Sequence, residues 1–342
     1  MRRDELIKVL KTVMPGVSKG DALLQGADAF VFTPGLVQTY NDHLSVSHPA
    51  NIDVTASVKA VEMVRVLEKM AGLDVQMKVE DNQLMVTDGN TNLAMKLMEV
   101  QTPSLIEALD LEGLEWNPIP KDFLPAIDLC LSSVSNNPAH GVLNGIKVDG
   151  TDLLASDNYR VAWSVIGEPM REFIIPGLAT AALLKIPDLE SYAVSTWVHF
   201  MNKEGAVFSS RLLGGDFPSD TMKGLFPANE DSVEYELPEA LKPALERAAI
   251  MTSSQDGVME YVTLSRKGDN LLVQGERQFG SVLDKVPAGE AGFPVDTQIN
   301  INPKFLLDIM GMTRKFRMSG SLLIFGGEGF LYLSSTISPK GE

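Results

Sequence analysis

Hydrophobic and polar positions along the chain fall into two alternating rhythms. Residues 4–14 have helical spacing, with Leu6, Ile7, Leu10, Val13 and Met14 on one face and Asp4, Lys8 and Lys11 opposite. Pro15-Gly16 stops that pattern. Short strand-like runs follow at 29–33, 36–39 and 44–47. A second helix is predicted over 55–71, with Ala60, Met63, Val64, Leu67 and Met70 inward and Lys59, Glu62, Arg65 and Lys69 outward, closed by Gly72. Strands are predicted at 75–79, 83–87 and 93–100, and the acidic, turn-rich stretch 110–120 reads as a linker.

The plan then starts again. A helix is predicted over 122–134, with Phe123, Ile127, Leu131 and Val134 inward and Pro125 in its first turn, where a missing N–H costs little. Residues 140–162, HGVLNGIKVDGTDLLASDNYRVA, read as strands at 141–148 and 152–155 joined by an Asp149-Gly150-Thr151 turn. A polar corner, Ser156-Asp157-Asn158, then leads to Tyr159-Arg160 and a strand at 161–165. A helix at 176–186, strands at 192–200 and 206–213, and a second linker at 214–227 complete the round. The third round has a helix at 237–251, with Leu241, Leu245 and Ala248 inward and Lys242, Glu246 and Arg247 outward; Pro243 marks a kink or the true start. Strands at 260–265, 270–275 and 280–286, a helix at 303–312, and strands at 316–319, 322–325 and 329–334 end it. Helix, strands, helix, strands therefore occurs three times in 342 residues, predicting an α+β chain of three pseudo-repeated domains at 1–113, 114–227 and 228–342.

Composition narrows the class. Apolar residues make up 44% and charged residues 22%, the balance of a globular protein. Cys130 is the only cysteine, so no internal disulfide forms and a reducing compartment fits. No signal-peptide run follows Arg2-Arg3 and no stretch is long enough to span a bilayer, so a cytoplasmic protein without a membrane partner is expected. The net charge of −16, from 45 acidic and 29 basic residues, opposes nucleic-acid binding unless the bases gather on one surface.

Five pieces of the chain, in order, resemble one family. LLASDNYRVA, at 153–162, is similar to a strand, polar corner and basic pair of the bacterial sliding clamp, the beta subunit of DNA polymerase III, with Ser156, Asn158 and Tyr159 as departures. KVEDNQLMVTDGNTNL (78–93), LLGGDFPSDTMKGLFP (212–227), LKPALERAAIM (241–251) and ININPKFLLDIM (299–310) resemble further clamp segments, the second with two extra residues. The strand that usually precedes the first helix is missing, which suits a divergent, phage-encoded member.

The resemblance implies three clamp domains, each with two helices packed on antiparallel sheets. Two chains join head to tail into a homodimeric, six-domain ring. It implies sequence-independent, topological binding of double-stranded DNA, with a DNA polymerase and a clamp loader as partners. It also implies a DNA-binding channel lined by Lys8, Lys11, Lys19, Lys59, Arg65, Lys69, Lys185, Lys242, Arg247 and Lys304. Taken singly, each of these residues equally well solvates a helix face. A partner-peptide pocket is implied at Leu143, Ser156, Asn158, Tyr159, Arg160, Val161, Pro218, Leu225, Phe305 and Thr336, where Leu143, Val161 and Phe305 otherwise read as ordinary core. The family's tail motif at the pocket is replaced by 334–342, in which Thr336 and Ile337 stand in for part of the wall.

No catalytic site, metal or cofactor is expected. His43, His48, His140 and His199 lack metal-ligand spacing, Asp42 and His43 would point to opposite strand faces, and Cys130 reads as buried and inert. The glycine turns 16–26 and 326–329 lack a phosphate loop's Gly-Lys-Ser/Thr ending, and Glu112 and Glu115 sit in a linker. Two other readings stay open: a clamp-fold interaction protein without ring closure, and an acidic multi-domain hydrolase.

Overall fold

A computed structural model describes residues 1–18, 20, 25–41, 43–100, 109, 111–226, 233–253, 260–289 and 292–337. The chain divides into two compact units, each drawn from two stretches: Met1–Leu124 with Met170–Gly214, and Pro125–Pro169 with Gly215–Glu342.

The first unit is built on an eight-stranded antiparallel sheet. Strands β1 (Ala29–Thr33), β2 (Leu36–Tyr40), β3 (Leu44–Pro49) and β4 (Ala56–Lys59) form one half. The other half is β8 (Asn117–Pro118), β11 (Leu189–Val194), β12 (Trp197–Asn202) and β13 (Val207–Arg211). The halves meet where β3 pairs with β13, Val46 opposite Phe208. A smaller sheet holds β5 (Gln76–Glu80), β6 (Gln83–Thr87) and β7 (Asn92–Lys96). Helix α1 (Arg3–Val13) packs on β2, on β3 and on α2 (Ala60–Leu67), burying Leu6, Val9, Leu10 and Val13. Phe30, Phe32, Phe200 and Phe208 are fully buried in the unit.

The second unit holds a six-stranded sheet, in the order β14 (Glu234–Glu236), β19 (Lys315–Ser319), β20 (Leu322–Gly327), β21 (Phe330–Ser335), β10 (Arg160–Pro176) and β9 (Gly145–Ser156). A four-stranded sheet runs β17 (Gly280–Pro287), β16 (Asn270–Arg277), β15 (Val262–Lys267) and β18 (Gln298–Ile301). Helix α6 (Leu241–Thr252) packs on β16 and β17 and against α7 (Pro303–Met310). Two further helices, α3 (Phe123–Ser132) and α4 (Gly177–Leu183), occupy the two helical positions of the middle round, and a short helix, α5 (Ser219–Lys223), precedes β14.

Several expectations change. The predicted hairpin at Asp149-Gly150 does not form; β9 continues through it, with Gly150 at φ 59°. The chain reverses instead at Ser156-Asp157-Asn158, where Asn158 takes φ 78° and one Asp157 carboxylate oxygen accepts from the amides of Tyr159 and Arg160. Two turn signals stood close together, and the one with side-chain support won. The helix predicted from residue 55 starts at Ala60, because Ala56 and Val58 alternate inward and pair with β1 as β4. The strand predicted at 192–200 is broken at Ser195-Thr196 into β11 and β12. The third-round helix starts at Leu241, which places Pro243 in its first turn. The linkers at 110–120 and 214–227 contain β8 and α5, and the strands β14 and β18 were not foreseen.

Candidate functional site

One face of the six-stranded sheet carries the candidate docking site. Side chains alternate across a strand, so Val161 and Trp163 of β10 share one face with their partners in register. Val161 stands opposite Leu333, which stands opposite Ile324; Trp163 stands opposite Leu331. The buried floor of this face comprises Leu143, Leu154, Val161, Met222 and Leu333, and Val142, Trp163, Phe217, Phe226, Leu322 and Ile324 pack around it. Met222 reaches the floor from α5, at 5% exposure. Asp152 fixes that helix to the sheet. One of its oxygens accepts from the Trp163 indole at 2.7 Å and the other from Lys223 at 2.5 Å, and Lys223 lies 5.3 Å from the Trp163 ring centre.

The sheet's opposite face holds a charged network. Arg160 is 3% exposed and donates from Nε to Asp157 at 2.9 Å and from Nη1 to Asp308 at 2.7 Å. Its guanidinium lies 4.5 Å from the centre of the Phe305 ring. It also donates to the Tyr332 hydroxyl, which donates onward to the Phe305 carbonyl. Burial works against the Arg160 charge, but the Tyr332 oxygen, Asp157 and Asp308 outweigh it and hold the group above its ordinary pKa. Burial pushes the Tyr332 hydroxyl up, which keeps it a donor.

The expected pocket residues therefore divide. Leu143 and Val161 meet on the apolar face; Arg160 and Phe305 meet on the other. Ser156, nearly buried, accepts from the amide of Asn158 and shapes the corner, while Tyr159 is 45% exposed beside it. Pro218 and Leu225 flank α5 and are exposed, and their neighbours Phe217 and Phe226 make the apolar contacts instead. Thr336 bonds to Ser321 through its amide and its hydroxyl, next to the cluster's Leu322. Residues 338–342 lie outside the described residues. Sequence reasoning missed Trp163, Met222 and Leu333. Trp163 was legible as the i+2 neighbour of Val161, whereas Met222 depends on where α5 lands.

The expected DNA-facing cations sit on exposed helix faces or at helix ends. In the first unit these are Lys8 and Lys11 on α1, Lys59 at the start of α2, Arg65 on it, Lys69 just beyond it, and Lys185 just beyond α4. In the second unit they are Lys242 and Arg247 on α6 and Lys304 on α7. Lys19 and Asp42 lie outside the described residues.

Elsewhere, Cys130 is buried, and burial pushes its thiol up to about 12. His199 is buried between Ser195 and Ser209, its Nδ1 2.8 Å from the Ser209 hydroxyl, and burial lowers its pKa to about 4. Among the described residues no group of three or more His, Cys, Asp and Glu side chains is placed to hold a metal ion, and no helix is long and apolar enough to cross a membrane.

No protein-family model matches the chain, and no curated protein matches it in sequence. Solved structures do match it. The DNA polymerase sliding clamp of Bacillus subtilis aligns with 99% of this chain and 98% of its own, with a TM-score of 0.74 at 19% identity. The chain has the fold of the bacterial sliding clamps. The clamp of Bartonella birtlesii, solved bound to griselimycin, aligns over 99% of this chain and 98% of its own at a TM-score of 0.77 and 19% identity. That of Pseudomonas aeruginosa aligns over 99% of both chains at a TM-score of 0.74 and 18% identity. The clamp fold thus extends along the whole chain as repeated helix and sheet units.

Proposed function

We propose that the chain is a DNA sliding clamp, a processivity factor without catalytic activity of its own. Each copy gives three domains, 1–113, 114–227 and 228–342, and two copies close head to tail into a ring around duplex DNA. The basic residues on α1, α2, α6 and α7, with Lys185, face the hole and touch phosphates, which position a protein without reading sequence. The apolar sheet face beside Tyr159 receives a short peptide of the DNA polymerase or of the clamp loader. The observation that carries this reading is the clamp fold over 99% of the chain, rather than over one domain.

Particle imaging with the native mass in solution tests it. The expected result is a two-chain ring with an open hole, retained on circular duplex DNA and lost once that DNA is linearised. A monomer without a hole in concentrated solution would overturn the reading. For the docking face, Tyr159→Ala, a change at a side chain 45% exposed, is expected to weaken polymerase binding while leaving the ring intact; unchanged affinity would place the peptide elsewhere.

A further inference from the structure

Four of the nine described cations assigned to DNA already hold a carboxylate of this chain. Lys8 pairs with Glu204, Lys59 with Asp28, Lys11 with Glu68 at 2.6 Å, and Arg247 with Asp284 at 3.0 Å. Three of these partners lie 196, 31 and 37 residues away in sequence, so they are tertiary contacts rather than the neighbouring-turn pairs of a solvated helix. The cations stay 50–58% exposed, within reach of an outside anion. Hydrogen bonds and charge from Lys11 and Lys8 hold the Glu68 and Glu204 carboxyls below their ordinary range. Asp284 holds Arg247 above its own. Arg65, Lys69, Lys185, Lys242 and Lys304 form no ion pair among the described residues.

We propose that Glu204, Glu68, Asp28 and Asp284 act as built-in substitutes for DNA phosphate, so that the chain binds DNA by exchanging ion pairs and holds it loosely. The inference rests on the clamp reading. A lysine that neutralises a phosphate normally releases a condensed cation from DNA, and that release drives binding. Here the carboxylate set free beside the phosphate takes a cation back, so the exchange gains little. A ring that holds DNA topologically has no need of strong direct contact, and loose contact favours sliding.

The test compares the full-length protein with Glu204→Gln, Glu68→Gln, Asp28→Asn and Asp284→Asn combined. A control changes four carboxylates outside these pairs, Glu5→Gln, Glu62→Gln, Asp220→Asn and Glu328→Gln, and so alters net charge equally. Affinity for a linear duplex is measured by fluorescence anisotropy from about 0.05 to 0.3 M salt. The latch variant is expected to bind at least about tenfold more tightly at the lowest salt, with a log–log slope steeper by about 0.9 for each restored contact. Glu68→Gln alone, a single surface change, is expected to give about a quarter of that change in slope and guards against misfolding of the combined variant. Equal gains in latch and control variants would reduce the effect to overall charge and overturn the proposal. No change in the latch variant, while wild-type rings stay on circular DNA, would overturn the latch and leave the clamp standing. Failure of wild type on circular DNA would remove the clamp reading, and the latch with it.

Discussion

Arg160 shows how one side chain ties a corner to a helix. It bonds Asp157, which shapes the turn before Tyr159, and Asp308 on α7, while nearly excluded from water. Arg160→Ala leaves two carboxylates facing an apolar ring, and loss of one partner of a buried ion pair costs about 3–5 kcal/mol. Arg160→Lys is expected to fail almost as badly, because one ammonium cannot reproduce a planar fork reaching two carboxylates and stacking on Phe305. Urea unfolding measures both; a loss below about 1 kcal/mol for the alanine variant would show that the network adds little. His199 predicts a pH effect. Its pKa falls from 6.5 to about 4 on folding, so the unfolded chain binds the extra proton first. This contribution is intact above pH 6.5 and is lost as pH drops toward 4, by about 3 kcal/mol in all. Thermal unfolding across that range is expected to show the loss, and His199→Gln is expected to flatten it.

At the scale of elements, α5 is the piece whose role the sequence concealed. Its five residues lie in a stretch that reads as a linker, and nothing local says that Met222 will enter the floor of the sheet face. Met222→Ala is expected to cost about 2–5 kcal/mol, and cleavage between Phe217 and Phe226 by a protease in limiting amount should quicken. Cleavage at the wild-type rate would show that the Asp152 bonds alone hold the helix. Strands were largely legible: β6 alternates in burial as its sequence does, β1 is a short apolar run buried on both faces, and the helix start at Pro303 falls where the pattern puts it. The errors cluster where two local signals compete. Gly150 offered a turn that Asp157 and Asn158 provided better, and Ala56–Lys59 carries enough helix-compatible residues to hide a strand that only β1 makes worthwhile. The apolar sheet face was half legible. Leu143 and Val161 followed from the resemblance, but the division of Arg160 and Phe305 from them follows only once the strand register is known.

For the whole molecule, a net charge of −16 and the proposed hold on DNA are compatible only if position outweighs sum. The four pairs sharpen that point, since they neutralise cations on the very faces assigned to the duplex. On the proposed clamp reading, the wild-type protein is accordingly expected to leave linear DNA at modest salt yet persist on circles, and the ratio of the two lifetimes measures how far topology replaces affinity. A ratio near one would place the grip in direct contacts.

Cys130 has a practical consequence. The chain's lone thiol is buried and pushed up to about 12, so it stays unreactive while the protein is folded. Any cysteine engineered onto the surface is then the sole target for a maleimide dye, with no native residue to remove first. Dyes placed one per subunit across the proposed joint between two chains would test whether rings form and open, as a change in energy transfer, in a protein otherwise left in its natural sequence.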